Sequence, residues 1–185
     1  MIFNKLPLKS AYTIDLDKRE DDRGFFSRYW CKNEFAEKGL NTTIVQINNS
    51  MSRQKGTLRG LHFQRRPKAE TKIVRCLRGA IWDVIVDIRA GSPTYGKWHG
   101  VELNEGNRTM MYVPKGFAHG FISILENTEI IYLVSEFYSS EHENTLRWDD
   151  PFHGIEWPIQ PQVISEKDNN VPNWQDNFAI SEDRI

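Results

Sequence analysis

Two short segments of this 185-residue chain concentrate side chains able to move protons or hold anions. Gly56 to Gln64 reads GTLRGLHFQ and sets an arginine, a glycine and a histidine in one strand-like run; Pro114 to Phe121 reads PKGFAHGF and carries a second histidine, His119. Imidazole is open to two kinds of chemistry, proton transfer near neutral pH and ligation of a divalent metal. Metals of that kind take three or four imidazole, thiolate or carboxylate ligands, and His62 with His119 is a poor set, so no metal is expected. A histidine alone is more often a hydrogen-bonded structural residue, so His62 gains meaning only from its company. Part of that company is Lys72, which shares strand parity with Val74 and Cys76. A lysine aligned with apolar neighbours is costly unless it is paired or used, or snorkels to water from the start of its strand.

These residues must be positioned by strands. Short runs rich in Val, Ile, Tyr, Phe and Trp recur at 42–48, 57–64, 71–77, 80–88, 98–103, 110–113, 118–124 and 128–137, punctuated by Gly, Pro, Asn and Asp. That spacing predicts a β-sandwich or barrel. Helical signal is confined to a short surface helix over 33–38, ended by Gly39. In the run 80–88, Trp82, Val84, Val86 and Ile88 share one face and are read as core. Arg59 and His62 have opposite parity in a regular strand, so if both face one site an irregularity is predicted at Gly60. After Trp148 the chain turns rich in Pro, Asp and Asn, which reads as a segment from about residue 150 wrapping a single domain over 1–185.

Composition narrows the partners. With 24 basic and 25 acidic residues the net charge is −1, and no global field draws the chain to nucleic acid or to an anionic membrane. No stretch reaches the roughly 20 apolar residues of a membrane span, and the first ten residues lack a signal-like apolar region, so a cytoplasmic protein is expected. Cys31 and Cys76 are too few for a disulfide framework.

Pro114, Gly116 and His119 match the P-x-G-x-x-H pattern of the second motif of cupin barrels, and an all-β cupin jelly-roll barrel with short peripheral helices is the expected fold. Metal-binding cupins carry an H-x-H pair in their first motif; here the corresponding residues are His62, Phe63 and Gln64, and the pair is broken. Several ordered blocks then resemble one family, the dTDP-4-dehydrorhamnose 3,5-epimerases, from about Asp22 to Pro172. They are DRGFF from Asp22, RGLHFQ from Arg59, DVIVDIR from Asp83, SPTYGKW from Ser92, PKGFAHGF from Pro114, RWDDP from Arg147 and SEKD from Ser165.

The resemblance implies epimerisation of a nucleotide-diphosphate 4-keto-6-deoxy sugar through an enolate, with no cofactor. It also implies a homodimer that exchanges N-terminal strands and a barrel site shared with the partner. His62 matches the family's general base, a role imidazole fills because an ordinary pKa of about 6.5 leaves it mostly neutral yet basic at neutral pH. Asp168 matches the carboxylate that holds the second ring nitrogen, and Lys72 a donor to the C4 oxygen, where such a donor is worth about 3 to 4 kcal/mol. Tyr132 matches the proton donor on the opposite face, and Tyr138 a residue that stacks on the nucleotide base. Arg23 and Arg59 match diphosphate-binding positions, and Phe26, Gln46, Asn48, His119, Glu143 and Lys167 fall at further substrate-contact positions.

Two positions depart from the family pattern. Arg28 stands where a glutamate commonly contacts the base, and guanidinium donates where carboxylate accepts. Ile47 stands where an aspartate is common between Gln46 and Asn48, which predicts one lost polar contact near the substrate. These departures keep open a related enzyme acting at C3 only or C5 only, or on another base. A 3,4-ketoisomerase of the same fold, a metal-dependent cupin oxygenase and a non-catalytic sugar-binding cupin compete with the epimerase reading; metal analysis and a test of turnover separate them.

Overall fold

In a computed structural model, residues 1–174 and the short strand at 180–181 are described. Strands β1 (Ile2–Lys5), β2 (Tyr12–Asp15), β3 (Arg19–Asp21) and β4 (Gly24–Phe26) precede helix α1 (Lys32–Glu37) and β5 (Gln46–Ser52). Next come β6 (Thr57–Gln64), β7 (Lys72–Arg78), β8 (Ala80–Asp87), β9 (Arg89–Ala90), β10 (Trp98–Asn104), β11 (Met110–Val113), β12 (Phe117–Ser123) and β13 (Thr128–Val134). The chain then runs through β14 (Glu143–Thr145), β15 (Val163–Ile164), helix α2 (Glu166–Asn169) and β16 (Ile180–Ser181).

Two antiparallel sheets make the barrel. One has the order β1-β2-β11-β7-β13-β5; the other has the order β10-β8-β12-β6-β14, with β15 added in parallel to β6. From β5 to β8 and again from β10 to β14 successive strands alternate between the two sheets, the crossover pattern of a jelly roll, and the fold is of the cupin type.

Three apolar layers hold the sheets. Between them lie Val74, Cys76, Met111, Val113 and Ile130 from the first sheet against Ile81, Ile85, Leu103, Phe117 and Phe121 from the second. The outer face of the second sheet is covered by Trp148, Ile155 and Trp157, which pack on Phe63, Val84 and Val86. The outer face of the first sheet receives Phe35 of α1 beside Ile73, Met110 and Tyr112. A fully buried Ile, Leu, Val or Phe contributes about 1.5 to 3 kcal/mol, so each layer is a substantial share of stability.

The parity reading of 80–88 holds, and the structure adds which layer that face meets. Trp82, Val84, Val86 and Ile88 belong to the outer layer. The barrel interior is met by the opposite parity, Ile81 and Ile85, and the same face carries the fully buried Asp83.

The differences have local causes. The strand expected over 42–48 begins at Gln46, because the Asn41 side chain accepts the Thr43 N–H and holds 41–43 as a turn. It continues to Ser52 through polar residues because its register with β13 pairs Gln46 with Val134 and Ser52 with Thr128. Helix α1 falls within one residue of its expected bounds, and Gly39 closes it at φ +68°. Strands β1 to β4 had no signal in the residue pattern, although the family resemblance implied N-terminal strands; β3 and β4 are short, polar or glycine-bearing, and exposed at every position. Among the described residues no helix is long and apolar enough to cross a membrane.

Candidate active site

The site begins with a break in β6. Its register with β12 pairs His62 with His119 and Arg59 with Phe121, so Gly60 and Leu61 together oppose Gly120. The predicted irregularity at Gly60 is therefore present, and Arg59 and His62 line the same cavity. Glycine is required there: Gly60 has φ +116°, and a Cβ on it would lie 2.6 Å from Gly120 Cα. The Gly60–Leu61 peptide is cis.

That cavity, of about 450 Å³, is bordered by His62, Lys72, His119, Tyr132, Arg59 and Asp168. A second depression of about 250 Å³ adjoins it, sharing His62, Lys72 and Tyr132, and is lined by Gln46, Asn48, Tyr138 and Glu143. His62 Nε2 donates to Asp168 Oδ1 at 2.7 Å, which leaves Nδ1 as the basic nitrogen. Asp168 is buried, and its Oδ2 accepts the Gly60 N–H at 3.3 Å. Burial alone would raise the Asp168 carboxyl, but the His62 bond and charge, the Gly60 N–H and Ser165 outweigh it and hold the group below its usual range.

Asp168 arrives from α2. The turn forms because Ser165 caps it, its hydroxyl accepting the Asp168 N–H at 3.1 Å, and β15 fixes the approach by pairing with β6 at Thr57 and Leu58.

A second carboxylate–imidazole pair lies beside the first. His119 Nε2 bonds Asp83 Oδ1 at 2.8 Å, with both residues buried. Sequence reasoning missed this role of Asp83, which nothing marks out beyond its place in the DVIVDIR block. Lys72 is buried and ion-paired to Glu70 at 3.1 Å, a partner also missed. Burial and the Glu70 charge raise the Tyr132 hydroxyl above its ordinary value, against the pull of Arg59.

At the mouth Tyr138 Oη donates to Glu143 at 2.8 Å, and Lys167 Nζ reaches the same carboxylate at 2.5 Å. Burial would raise the Glu143 carboxyl, yet these two donors hold it low. Gln64, at the broken metal motif, is engaged by backbone instead. Its Nε2 donates to the carbonyls of Lys68 and Phe137, and its Oε1 accepts the Ser139 N–H. It thereby clamps the loop that presents Tyr138. Among the described residues no group of three or more His, Cys, Asp or Glu side chains is arranged to hold a metal.

Not every expected residue converges. Arg23 is exposed on the β3–β4 hairpin and paired to Asp21; Phe26 is 67% exposed. Arg28 binds Glu34 at 3.0 Å and, with Phe26, borders a separate depression. Ile47 is 61% exposed, alternates away from Gln46 and Asn48, and lines neither cavity within one chain.

Known proteins resemble this chain in sequence and fold. Residues 5–176 match the family profile described as dTDP-4-dehydrorhamnose 3,5-epimerase. The chain belongs to this family. An epimerase of that name from Sinorhizobium fredii is 47% identical over 94% of this chain and 89% of its own length. The crystal structure of one from Elizabethkingia anophelis superposes with a TM-score of 0.92 at 42% identity, covering 96% of this chain and 98% of that one. A Bacillus anthracis structure with TDP and PPi bound gives 0.89 at 39% identity, covering 94% and 99%. By this membership the chain is an isomerase of the sugar-nucleotide epimerase type.

Proposed function

We propose that the chain inverts C3 and C5 of a dTDP-linked 4-keto-6-deoxy sugar. Neutral His62 takes the hydrogen beside the ketone through Nδ1, and the C–H electrons pass into the ring and onto the C4 oxygen as an enolate. The imidazolium so formed is stabilised by Asp168, and the enolate oxygen by the Lys72 ammonium. Tyr132 returns a proton to the opposite face of the carbon, and solvent restores both side chains. Arg59 binds diphosphate, with Gln46 and Asn48 as further polar contacts, and Tyr138 stacks on the base. The observation that carries this reading is the convergence of the His62–Asp168 dyad, Lys72 and Tyr132 on one cavity.

The same reading includes a homodimer in the cytoplasm, with the exposed β3–β4 hairpin bringing Arg23, Phe26 and Arg28 to the partner's cavity. Arg28 favours a second reading, inversion at one carbon or recognition of another base, since a guanidinium, here bonded through Nη1 to Glu34, donates where a carboxylate would accept. A 32% identical 3'-monoepimerase from Streptomyces bikiniensis, solved with dTDP-quinovose, gives a TM-score of 0.84 over 92% of this chain and 86% of that one. Incubation with 4-keto-6-deoxy sugars on dTDP, CDP and GDP in deuterated water decides between them. Exchange at both carbons on dTDP supports the proposal; exchange at one carbon, or only on CDP or GDP, replaces it with the second reading; no exchange on any of the three sinks both.

A further inference from the structure

Lys72 carries three N–H donors on its ammonium, and two have visible destinations. Glu70 Oε1 lies 3.1 Å away and the main-chain carbonyl of His62 lies at 3.5 Å. We propose that Glu70 is a positioning residue for the reaction: its carboxylate and the His62 carbonyl fix the ammonium so that the remaining N–H is presented to the C4 oxygen of the sugar. The inference rests on the enolate reading and adds to it the group that aims its electrophile.

The pair is built into the fold. The Glu70 and Lys72 side chains are only 12% and 11% exposed, so neither is free to sample solvent. Thr71, between them, donates its N–H to Ser135 Oγ and accepts the Ser135 N–H. The extended backbone is thereby locked, and residues 70 and 72 share a face. Glu70 borders the depression that also contains Lys72, His62 and Tyr132, so its charge acts on acid and electrophile together. Around Tyr132 the two cavities present Glu70 and Lys72 from the β7 segment, Arg59 and His62 from β6, His119 from β12, Glu143 from β14, and Lys167 and Asp168 from α2. After burial, Glu70 is the strongest influence keeping the Tyr132 proton in place, with Arg59 opposing it. A proton donor that must be reloaded each turnover benefits from such a neighbour.

The test compares Glu70→Gln, Glu70→Asp and Glu70→Ala. Glutamine keeps an acceptor oxygen for Lys72 and removes only the charge. In Glu70→Gln, kcat is expected to fall about 10-fold with KM within about 2-fold, the signature of an interaction felt mainly in the transition state. The alkaline limb of its rate profile moves to lower pH, because Tyr132 loses its proton more readily. Glu70→Ala, which also loses the clamp, falls about 100-fold, and Glu70→Asp recovers part of the loss. Tyrosine labelled at Cζ gives a reading without substrate: the Tyr132 resonance titrates at lower pH in Glu70→Gln than in the wild type. Wild-type exchange in deuterated water is measured first, since its absence sinks the epimerase reading. Exchange in the wild type with unchanged kcat in the Gln and Ala variants overturns the Glu70 proposal alone.

Discussion

An imidazole held through Nε2 by a buried carboxylate is committed to using its other nitrogen, and this defines the behaviour expected of His62. Asp168→Asn is expected to lower kcat by about 100-fold or more with little change in KM, because an amide neither fixes the tautomer nor balances the imidazolium. Steady-state kinetics on the nucleotide sugar check it. The acid side follows from the depressed Asp168 carboxyl. Its stabilising contribution is complete above the unfolded-state value of about 3.9 and is lost as pH falls through the lower folded value. Asp168→Asn therefore shows a weaker loss of stability than the wild type as pH falls below the ordinary carboxyl value of about 4, read by acid unfolding followed by circular dichroism. Tyr132→Phe removes the acid and keeps the base, so hydrogen exchange into solvent survives better than inversion; comparing deuterium uptake with product configuration tests this. Of these residues, the inward lysine was deducible from parity, His62 and Asp168 from matching blocks, and Tyr132 only from the position the family resemblance implies, outside any quoted block. Asp83 and Glu70 were not, because alternation tells which residues share a face but not which face closes around the cavity.

At the level of elements, the site depends on the interruption of β6. The clash between Arg59 and His62 in strand parity was enough to predict it, and Gly60 was the residue able to relieve it. The close approach of Gly60 to Gly120 makes substitution costly. Gly60→Ala forces a left-handed φ on a residue with a Cβ and drives that atom into Gly120 and the His119 carbonyl. A loss on the order of 3 kcal/mol is expected, with activity falling beyond what unfolding explains because Arg59 and His62 are displaced together. Thermal unfolding and kcat measured on one preparation separate the two effects. The strands of the barrel were readable to within a few residues because their apolar runs are long and bounded by turn residues. The start of β5 was not, since a side-chain turn at Asn41 competes with the ladder there. Helix α2 left only the faint Ser165-x-x-Asp168 capping pattern, too short to show a helical period.

The molecule as a whole is a two-sheet barrel with an apolar layer on each outer face, and a hairpin that stands apart from the cavity. If that hairpin serves a second copy, lesions in different parts must complement each other. Equal mixing of Arg23→Ala with His62→Ala, after dissociation and reassociation, is expected to restore about a quarter of wild-type activity, since half the dimers are mixed and each has one intact site. Activity that stays at the level of the parent variants after mixing argues for sites complete within one chain. The separation of the dyad along the polymer has a further consequence. The carboxylate that orients the base is synthesised 106 residues after it. A nascent chain at an intermediate length therefore already holds its proton-abstracting ring without the anion that directs it. Catalytic competence on the ribosome is therefore expected to lag behind synthesis of the barrel strands, because α2, which also walls the cavity, comes after them.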